Sequence, residues 1–184
     1  MYLYIKIKNP NHKTLYNHWK EKNMKIFCVP LLTIMILFTS FATGAAQDKP
    51  IQLALINPVQ LFPENYSISG LRLSLIYGRN ANMTGFDWGL ITKTTGNFKG
   101  IQWGLVGMVD NDFTGWQYNL VSLTNGKFTG LQMGFYSSAN HVHGLQFSFI
   151  NNAGTMKGIQ LGLINIIKKG GFMPVFPIVN FGGL

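Results

Sequence analysis

Large apolar residues alternate with small or polar ones along most of this 184-residue chain, in a pattern that repeats. Each copy opens on a glycine, at Gly70, Gly85, Gly100, Gly115, Gly130, Gly144 and Gly158. The copies read GLRLSLI, GFDWGLI, GIQWGLV, GWQYNLV, GLQMGFY, GLQFSFI and GIQLGLI, at intervals of 15, 15, 15, 15, 14 and 14 residues. A weaker copy, PIQLALI, begins at Pro50. Self-similarity at a nearly fixed period indicates a repeat architecture built from one small structural unit.

The alternation within each copy predicts β-strands. With the glycine numbered zero, positions 1, 3 and 5 carry large apolar side chains, position 2 is mostly Gln, and position 4 is small or polar. A period of two gives a strand one apolar face and one narrow polar face, whereas a helix would scatter the same residues around its circumference. Turn-forming residues separate the strands, and a bulky residue such as Phe98, Phe113 or Phe128 returns two places before the next glycine.

Two all-β architectures fit this repeat. The first is a β-solenoid in which each 14- or 15-residue copy forms one coil, so that like positions stack about 4.8 Å apart. In that arrangement we expect Gln ladders outside and columns of Leu, Ile and aromatic side chains inside. The alternative is an antiparallel outer-membrane β-barrel of about 8–10 strands, which the strand length and the turn signal of Asn125 and Gly126 would suit. Near-constant spacing favours the solenoid, because every coil needs the same circumference.

The chain divides into an export region and a repeat region. Residues 24–46 combine a basic start, an apolar stretch and a small-residue exit, which is typical of a signal peptide cleaved after Ala46; the competing interpretation is an uncleaved anchor. Residues 1–23 are interpreted as an upstream extension ahead of the initiator Met24. Residues 47–69 are expected to form a first strand and loop, and residues 70–169 the repeat array. Residues 170–184 are expected to form a cap or edge strand, because Pro174 and Pro177 cannot donate to a ladder.

Composition indicates an envelope protein rather than a nucleic-acid-binding one. Only 11% of the residues are charged, against roughly 25% in soluble domains. The formal net charge is +9, but six of the 15 basic residues precede residue 47. The rest of the chain has nine basic and five acidic residues, a difference of +4, scattered through turns rather than clustered. The single cysteine, Cys28, lies in the apolar stretch, so the mature chain would hold no thiol.

The repeat resembles a family of bacterial surface-repeat proteins whose units read Gly-Leu-Gln-x-Gly-Leu-x-Asn. The copies from Gly100, Gly130, Gly144 and Gly158 match best, and residues 158–165, Gly-Ile-Gln-Leu-Gly-Leu-Ile-Asn, match throughout. Residues 172–181 are similar to that family's usual ending. The chain differs in its aromatic third positions and in lacking a cysteine after the apolar stretch. The resemblance implies a surface location and no established activity, and it carries over no functional residues.

Few residues offer catalytic or metal-binding chemistry. Asp110 and Asp112 share one turn and could contribute to Ca²⁺ binding, but further oxygen ligands are not evident. His141 and His143 flank one residue in another turn and lack a third ligand for Zn²⁺ or Cu²⁺. We therefore predict no catalytic, cofactor-binding or metal site, and we interpret both pairs as exposed turn residues.

The sharpest chemical feature is an aromatic column at the third position of consecutive copies, formed by Trp88, Trp103 and Tyr118. These rings would pack as a core ladder in a solenoid or anchor at the lipid interface of a barrel, and they could bind carbohydrate if exposed. The prediction is a non-catalytic exported β-repeat protein of the envelope or cell surface, with a structural or adhesive role. Its partner would be an unknown surface ligand or envelope component, with membrane association left open and nucleic acid excluded. The alternative is a small outer-membrane barrel with a membrane or transport role.

Overall fold

A computed structural model describes residues 48–183, which form one stacked β-structure. The predicted extension and signal peptide, including Cys28, lie outside the described residues. The strands are β1 (Asp48–Ile56), β2 (Val59–Gln60), β3 (Ser67–Asn80), β4 (Met83–Thr94), β5 (Phe98–Val109), β6 (Phe113–Lys169) and β7 (Val175–Gly182). Their order in the sheet is β2-β1-β3-β4-β5-β6-β7.

Consecutive copies of the repeat stack in parallel and in register. Gly70 pairs with Gly85, Gly85 with Gly100 and Gly100 with Gly115, in the ladders β3–β4, β4–β5 and β5–β6. Because like positions of adjacent copies are partners, each copy completes one coil. The later copies continue within β6, which runs through several coils without interruption. This confirms the predicted β-solenoid, and these copies do not form the antiparallel meander of the alternative.

Each coil is folded into two arms that meet at a corner. Between β4 and β5 the ladder runs through positions −2 to 4, skips Leu90 and Leu105 at position 5, and resumes at Ile91 and Val106. We call positions 5 and 6 the corner, and the opposite end of the coil, from position 10 to position −1 of the next copy, the turn edge. Two arms this short enclose a flat interior.

The interior holds the polar face of the strands. Gln102 and Gln117 at position 2 are completely buried, whereas Trp103 beside them is 51% exposed. The prediction that the Gln ladders lie outside and the apolar and aromatic columns of positions 1, 3 and 5 lie inside is therefore wrong. Trp88, Trp103 and Tyr118 form a column on the outer surface instead.

The narrow gap between the arms explains this inversion. A Cβ atom added to Gly107 on the second arm would overlap the side chain of Gln102 across the gap. At position 4 the gap is equally tight, because a Cβ atom on Gly89 would lie 2.9 Å from Cγ2 of Thr92 on the other arm. Stacked amides and small residues fit such a gap, and indole rings do not. Close packing therefore selects the polar face for the interior and leaves the apolar face outside.

An apolar core occupies only the half of the interior near the turn edge. Phe98, Phe113 and Phe128 at position −2 stack with successive ring centroids 4.6 and 5.2 Å apart. All three are buried, and Val142 and Met156 continue the column in later coils. Burial of these rings removes their apolar surface from water, which stabilises the stack. The corner half of the interior is polar.

Antiparallel pairing covers most of the last coil and, at the N-terminal end, only Ala54 and Ile56 of β1. At the N-terminal end β2 pairs with β1 in a hairpin that turns at Asn57 and Pro58. At the C-terminal end β7 pairs with the last coil, with Gly182 opposite Gly158. Pro177 within β7 has no N–H to donate to a further strand, and such interruptions discourage edge-to-edge association.

Candidate functional site

The surface that distinguishes this solenoid is the apolar face that its narrow interior leaves outside. On the first arm, positions 1, 3 and 5 point away from the buried glutamines, because successive side chains on a strand alternate in direction. We call the surface formed by these positions the outer face. Its exposed members include Leu53, Leu75, Trp88, Leu90, Ile101, Trp103, Leu105, Trp116, Tyr118, Leu120, Phe135, Phe147, Phe149 and Leu163. Like positions stack from coil to coil, so the face is continuous along the solenoid.

Aromatic side chains form the centre of the outer face. The ring centroids of Trp103 and Tyr118 are 6.2 Å apart with 55° between their planes, and Trp116 lies 6.3 Å from Tyr118. The rings tilt against one another and leave a shallow groove that Ile101 and Met133 also line. Trp and Tyr combine a large apolar surface with one polar atom, so they suit contact with a partner that presents apolar groups next to hydrated polar ones.

The end caps extend the outer face in both directions. Val59 and Leu61 of the N-terminal hairpin share a groove with Leu75. At the other end Ile178 of β7 shares a groove with Leu163 and is 72% exposed. Ile178 has a φ of 68°, which is unusual and costly for a β-branched residue. The chain thus accepts backbone strain where it presents an apolar side chain beside the face.

Exposed charged side chains lie on the second arm, at the turn edge and near the N-terminal cap, away from the outer face. Lys93 and Asp110 form an ion pair of 3.1 Å, and Arg79 and Glu64 form one of 3.4 Å. Both pairs are partly exposed, and such pairs contribute at most about 1 kcal/mol. Positions 1, 3 and 5 carry no charged residue in any copy. The solenoid is therefore amphipathic across its width.

The polar half of the interior contains a directed chain of side-chain hydrogen bonds. Arg72 Nε and Nη2 each donate to a carboxylate oxygen of Asp87 at 2.7 Å. Gln102 Nε2 also donates to Asp87, at 3.1 Å. Each following glutamine donates to the one before it at 2.7–2.8 Å, through Gln117, Gln132, Gln146 and Gln160. All of these donors point toward Asp87, so its carboxylate lies at the positive end of aligned amide dipoles, which strengthen one another.

This buried ion pair was missed by the sequence analysis. The side chains of Arg72 and Asp87 have no exposure to solvent, so neither can meet a substrate, and their role is structural. The sequence carried a signal, because Arg72 and Asp87 occupy the same repeat position in adjacent copies. That spacing predicts an ion pair only when position 2 is known to be buried and stacked.

The turn carboxylates bind neighbouring parts of the turn edge. Asp112 Oδ1 accepts a hydrogen bond from the backbone N–H of Lys127 at 2.8 Å. Asn97 Oδ1 accepts one from the backbone N–H of Asp112 at 3.1 Å, which continues the ladder of turn contacts. Asp110 pairs with Lys93 instead. The structure therefore uses the two carboxylates in separate contacts and does not bring them together on one ligand.

The two turn histidines also lie at the turn edge. His141 Nδ1 is 2.8 Å from Thr155 Oγ1. Within residues 48–183, no group of three or more His, Cys, Asp or Glu side chains is arranged to hold a metal ion. Partial desolvation, together with the charges of Lys127, Lys157 and His141, lowers the pKa of His143 below its ordinary value of 6.5.

We expect His143 to titrate at a lower pH in the folded protein than in the unfolded chain. Because the folded state favours the neutral imidazole, this group's contribution to stability is present above pH 6.5 and is lost as the pH falls through its folded pKa. An NMR titration of the imidazole measures the midpoint. Lys157→Gln should raise it by removing a nearby charge, whereas Lys168→Gln should leave it unchanged. Equal midpoints in the parent and Lys157→Gln would contradict the electrostatic cause.

Comparison with protein-family models, with curated proteins and with solved structures finds no match to the chain. In the part of the chain that the structure describes, no helix is long and apolar enough to cross a membrane. The fold and the face define the class: a two-armed β-solenoid whose interior is polar near the corner and apolar near the turn edge, with an apolar outer face. The resemblance to bacterial surface-repeat proteins rests only on the repeat residues and on the ending at residues 172–181.

Proposed function

We propose that this protein is an exported, non-catalytic β-repeat protein of the cell envelope or cell surface, and that it acts by binding through its outer face. Its role is structural or adhesive, and its partner is a surface ligand or envelope component rather than nucleic acid. One observation carries the proposal: the apolar outer face runs from Leu53 to Leu163, and cap residues extend it at both ends.

The extent of the outer face supports a binding role. Four residue steps separate positions 1 and 5, or about 13 Å of strand, and six steps along the stack from Leu75 to Leu163 add about 29 Å. The product of these two lengths gives a flat area on the order of 400 Å². The projecting side chains and the cap residues add to this area. Monomeric proteins rarely expose contiguous apolar patches of more than a few hundred Å², and the largest are often functional.

The placement of ionisable groups supports a non-catalytic role. General acid–base catalysis needs titratable groups within reach of a bound substrate. Arg72 and Asp87 are sealed in the interior, and Asp110 and Asp112 are engaged in turn contacts. Positions 1, 3 and 5 of the outer face offer only apolar and aromatic side chains.

Substitution of two central aromatic residues tests this proposal. We expect the full chain, produced with a C-terminal tag in a Gram-negative host, to be recovered with the envelope fraction. Trp103→Ser/Tyr118→Ser should be released into the soluble fraction, because large aromatic anchors carry much of the energy of binding surfaces. Both side chains point outward, so the interior should be unaffected, which circular dichroism can verify.

The matched control is Lys127→Ser/Lys168→Ser, which changes two exposed residues of the turn edge and should be retained like the parent. Recovery of the parent mainly from the cytoplasm would contradict the proposed location. Envelope retention of Trp103→Ser/Tyr118→Ser equal to that of the parent would contradict binding through the outer face.

A further inference from the structure

The corner of the solenoid is apolar along its length. Positions 5 and 6 are Leu90 and Ile91, Leu105 and Val106, Leu120 and Val121, Phe135 and Tyr136, Phe149 and Ile150, and Leu163 and Ile164. Leu105 and Leu120 are 48% and 53% exposed. We propose that this corner inserts into one leaflet of a lipid bilayer, with the turn edge in water. The inference rests on the proposed function, because it names the partner of the outer face.

Side chains on the first arm are ordered by polarity with distance from the corner. Position 5 is Leu or Phe in every copy, positions 3 and 1 are all large apolar or aromatic residues, and position −1 is Ser, Thr, Lys or His. A bilayer imposes the same order, with apolar and aromatic side chains in hydrocarbon or at its border and lysine ammonium groups toward water. A carbohydrate site would instead place hydrogen-bonding groups beside the rings. Next to Trp103 on the same face are Ile101 and Leu105.

The dimensions of the first arm match a single leaflet. Six residue steps separate position 5 from position −1, or about 20 Å of extended strand. Half of a bilayer's hydrocarbon core is about 15 Å thick. With the corner at the ends of the acyl chains, positions 3 and 1 lie within the hydrocarbon or at its border. Lys99 and Lys157 at position −1 then reach the level of the lipid phosphates.

The apolar surface continues around the corner, which favours lipid over a second copy of the chain. On the second arm position 6 is apolar or Tyr in every copy, and Met108 and Leu123 continue the apolar surface at position 8. Position 8 of three other copies is Lys, Ser or Asn, so the apolar surface on this arm is mainly confined to the corner and to the two coils that contain Met108 and Leu123. A second solenoid packed on the outer face would leave this side and the corner in water. Fluid hydrocarbon covers both arms at once, so it matches the shape of the whole apolar surface.

The hydrogen bonding of the coils is compatible with burial in hydrocarbon. Lipid accepts a protein segment only where its backbone polar groups are satisfied within the protein. Here the parallel ladders join each coil to its neighbours in register, and the buried glutamines bond to one another. Both arms of each coil meet that requirement, and the ladder between β4 and β5 is interrupted only at Leu90 and Leu105 of the corner.

Tryptophan quenching by brominated lipids tests the insertion. The full chain carrying Trp19→Phe retains Trp88, Trp103 and Trp116, all exposed on the outer face. We expect phosphatidylcholine vesicles brominated on the acyl chains to quench these residues, and unlabelled vesicles to shift their emission to shorter wavelength. Leu105→Gln/Leu120→Gln in this background should partition at least about tenfold more weakly, because two corner residues lose their burial in hydrocarbon.

The matched control is Thr114→Gln/Thr129→Gln, which introduces the same side chains at position −1 and should bind like the Trp19→Phe parent. Circular dichroism establishes that each variant keeps its β-structure. Vesicle-bound protein with unquenched tryptophans would overturn the proposal, since binding would then come from another part of the chain. Equal partition of the two double variants would overturn it as well.

Two further outcomes separate this inference from the proposed function. Suppose that vesicles do not bind the protein, and that sedimentation shows a concentration-dependent dimer that Leu105→Gln/Leu120→Gln dissociates. The lipid assignment would then be overturned, and the outer face would still be a binding surface, with a second copy as its partner. If the protein neither binds vesicles nor forms this dimer, and Trp103→Ser/Tyr118→Ser is retained in the envelope like the parent, the proposed function is overturned too.

Discussion

Arg72→Met is expected to lower the free energy of unfolding by about 3–5 kcal/mol, the usual cost of removing one partner of a buried ion pair. Arg72 donates two hydrogen bonds of 2.7 Å to Asp87, and both side chains are fully buried. Without Arg72, the Asp87 carboxylate keeps only the Gln102 amide, at 3.1 Å, from this network. Urea denaturation followed by circular dichroism measures the loss.

Two further variants separate the unpaired charge from lost packing. Arg72→Met/Asp87→Leu removes both charges and should recover most of the stability, because apolar replacement of a buried ion pair is often neutral or stabilising. Arg79→Met removes a partly exposed ion pair with Glu64 and should cost at most about 1 kcal/mol. A double variant as unstable as Arg72→Met would contradict the electrostatic explanation.

Gly115→Ala is expected to lower the free energy of unfolding by about 2–6 kcal/mol, the sum of overpacking and backbone strain. Gly115 has a φ of 134°, which residues with a side chain rarely adopt. A Cβ atom there would also overlap the carbonyl oxygen of Gly100 in the adjacent coil. That oxygen belongs to a strand paired on both sides, so it cannot move aside without disturbing the stack. Urea denaturation of the variant and the parent gives the difference.

Gly170→Ala is the matched control for Gly115→Ala. Gly170 also has a positive φ, of 73°, but no atom lies within 4 Å of an added Cβ. This variant should therefore cost only the conformational strain, about 1–2 kcal/mol. If the two substitutions destabilise the protein equally, the close approach between coils contributes nothing and the explanation is wrong.

The glycine at position 0 shows why part of the packing between coils could not be derived from the sequence. The regular glycines indicated a structural period, and the period predicted the coils correctly. The reason for glycine at Gly115 is its approach to Gly100, a contact between residues 15 positions apart. Such a contact exists only after the coils have stacked, so local propensity does not report it.

The buried ion pair also exists only after the coils have stacked. Arg72 and Asp87 occupy position 2 of adjacent copies, and stacking brings them into contact. Sequence reasoning placed position 2 on the outside, where two opposite charges would form an ordinary surface pair of little consequence. Burial changes the same pair into a feature on which stability depends.

The sequence by itself determined the strands, through the period of two, and it favoured parallel coils over an antiparallel barrel through the 14- and 15-residue intervals. The sequence also contained one indication of which strand face is inside. Phe113 at position −2 lies on the same strand face as Gln117, so burial of this phenylalanine would bury the glutamine as well. Only the tertiary structure decided which face is inside. The hydrophobic effect favours burial of the large apolar face, but the gap between two short arms is too narrow for residues such as Trp103. Packing therefore overrode hydrophobicity, and it left outside the apolar face through which we propose that the protein acts.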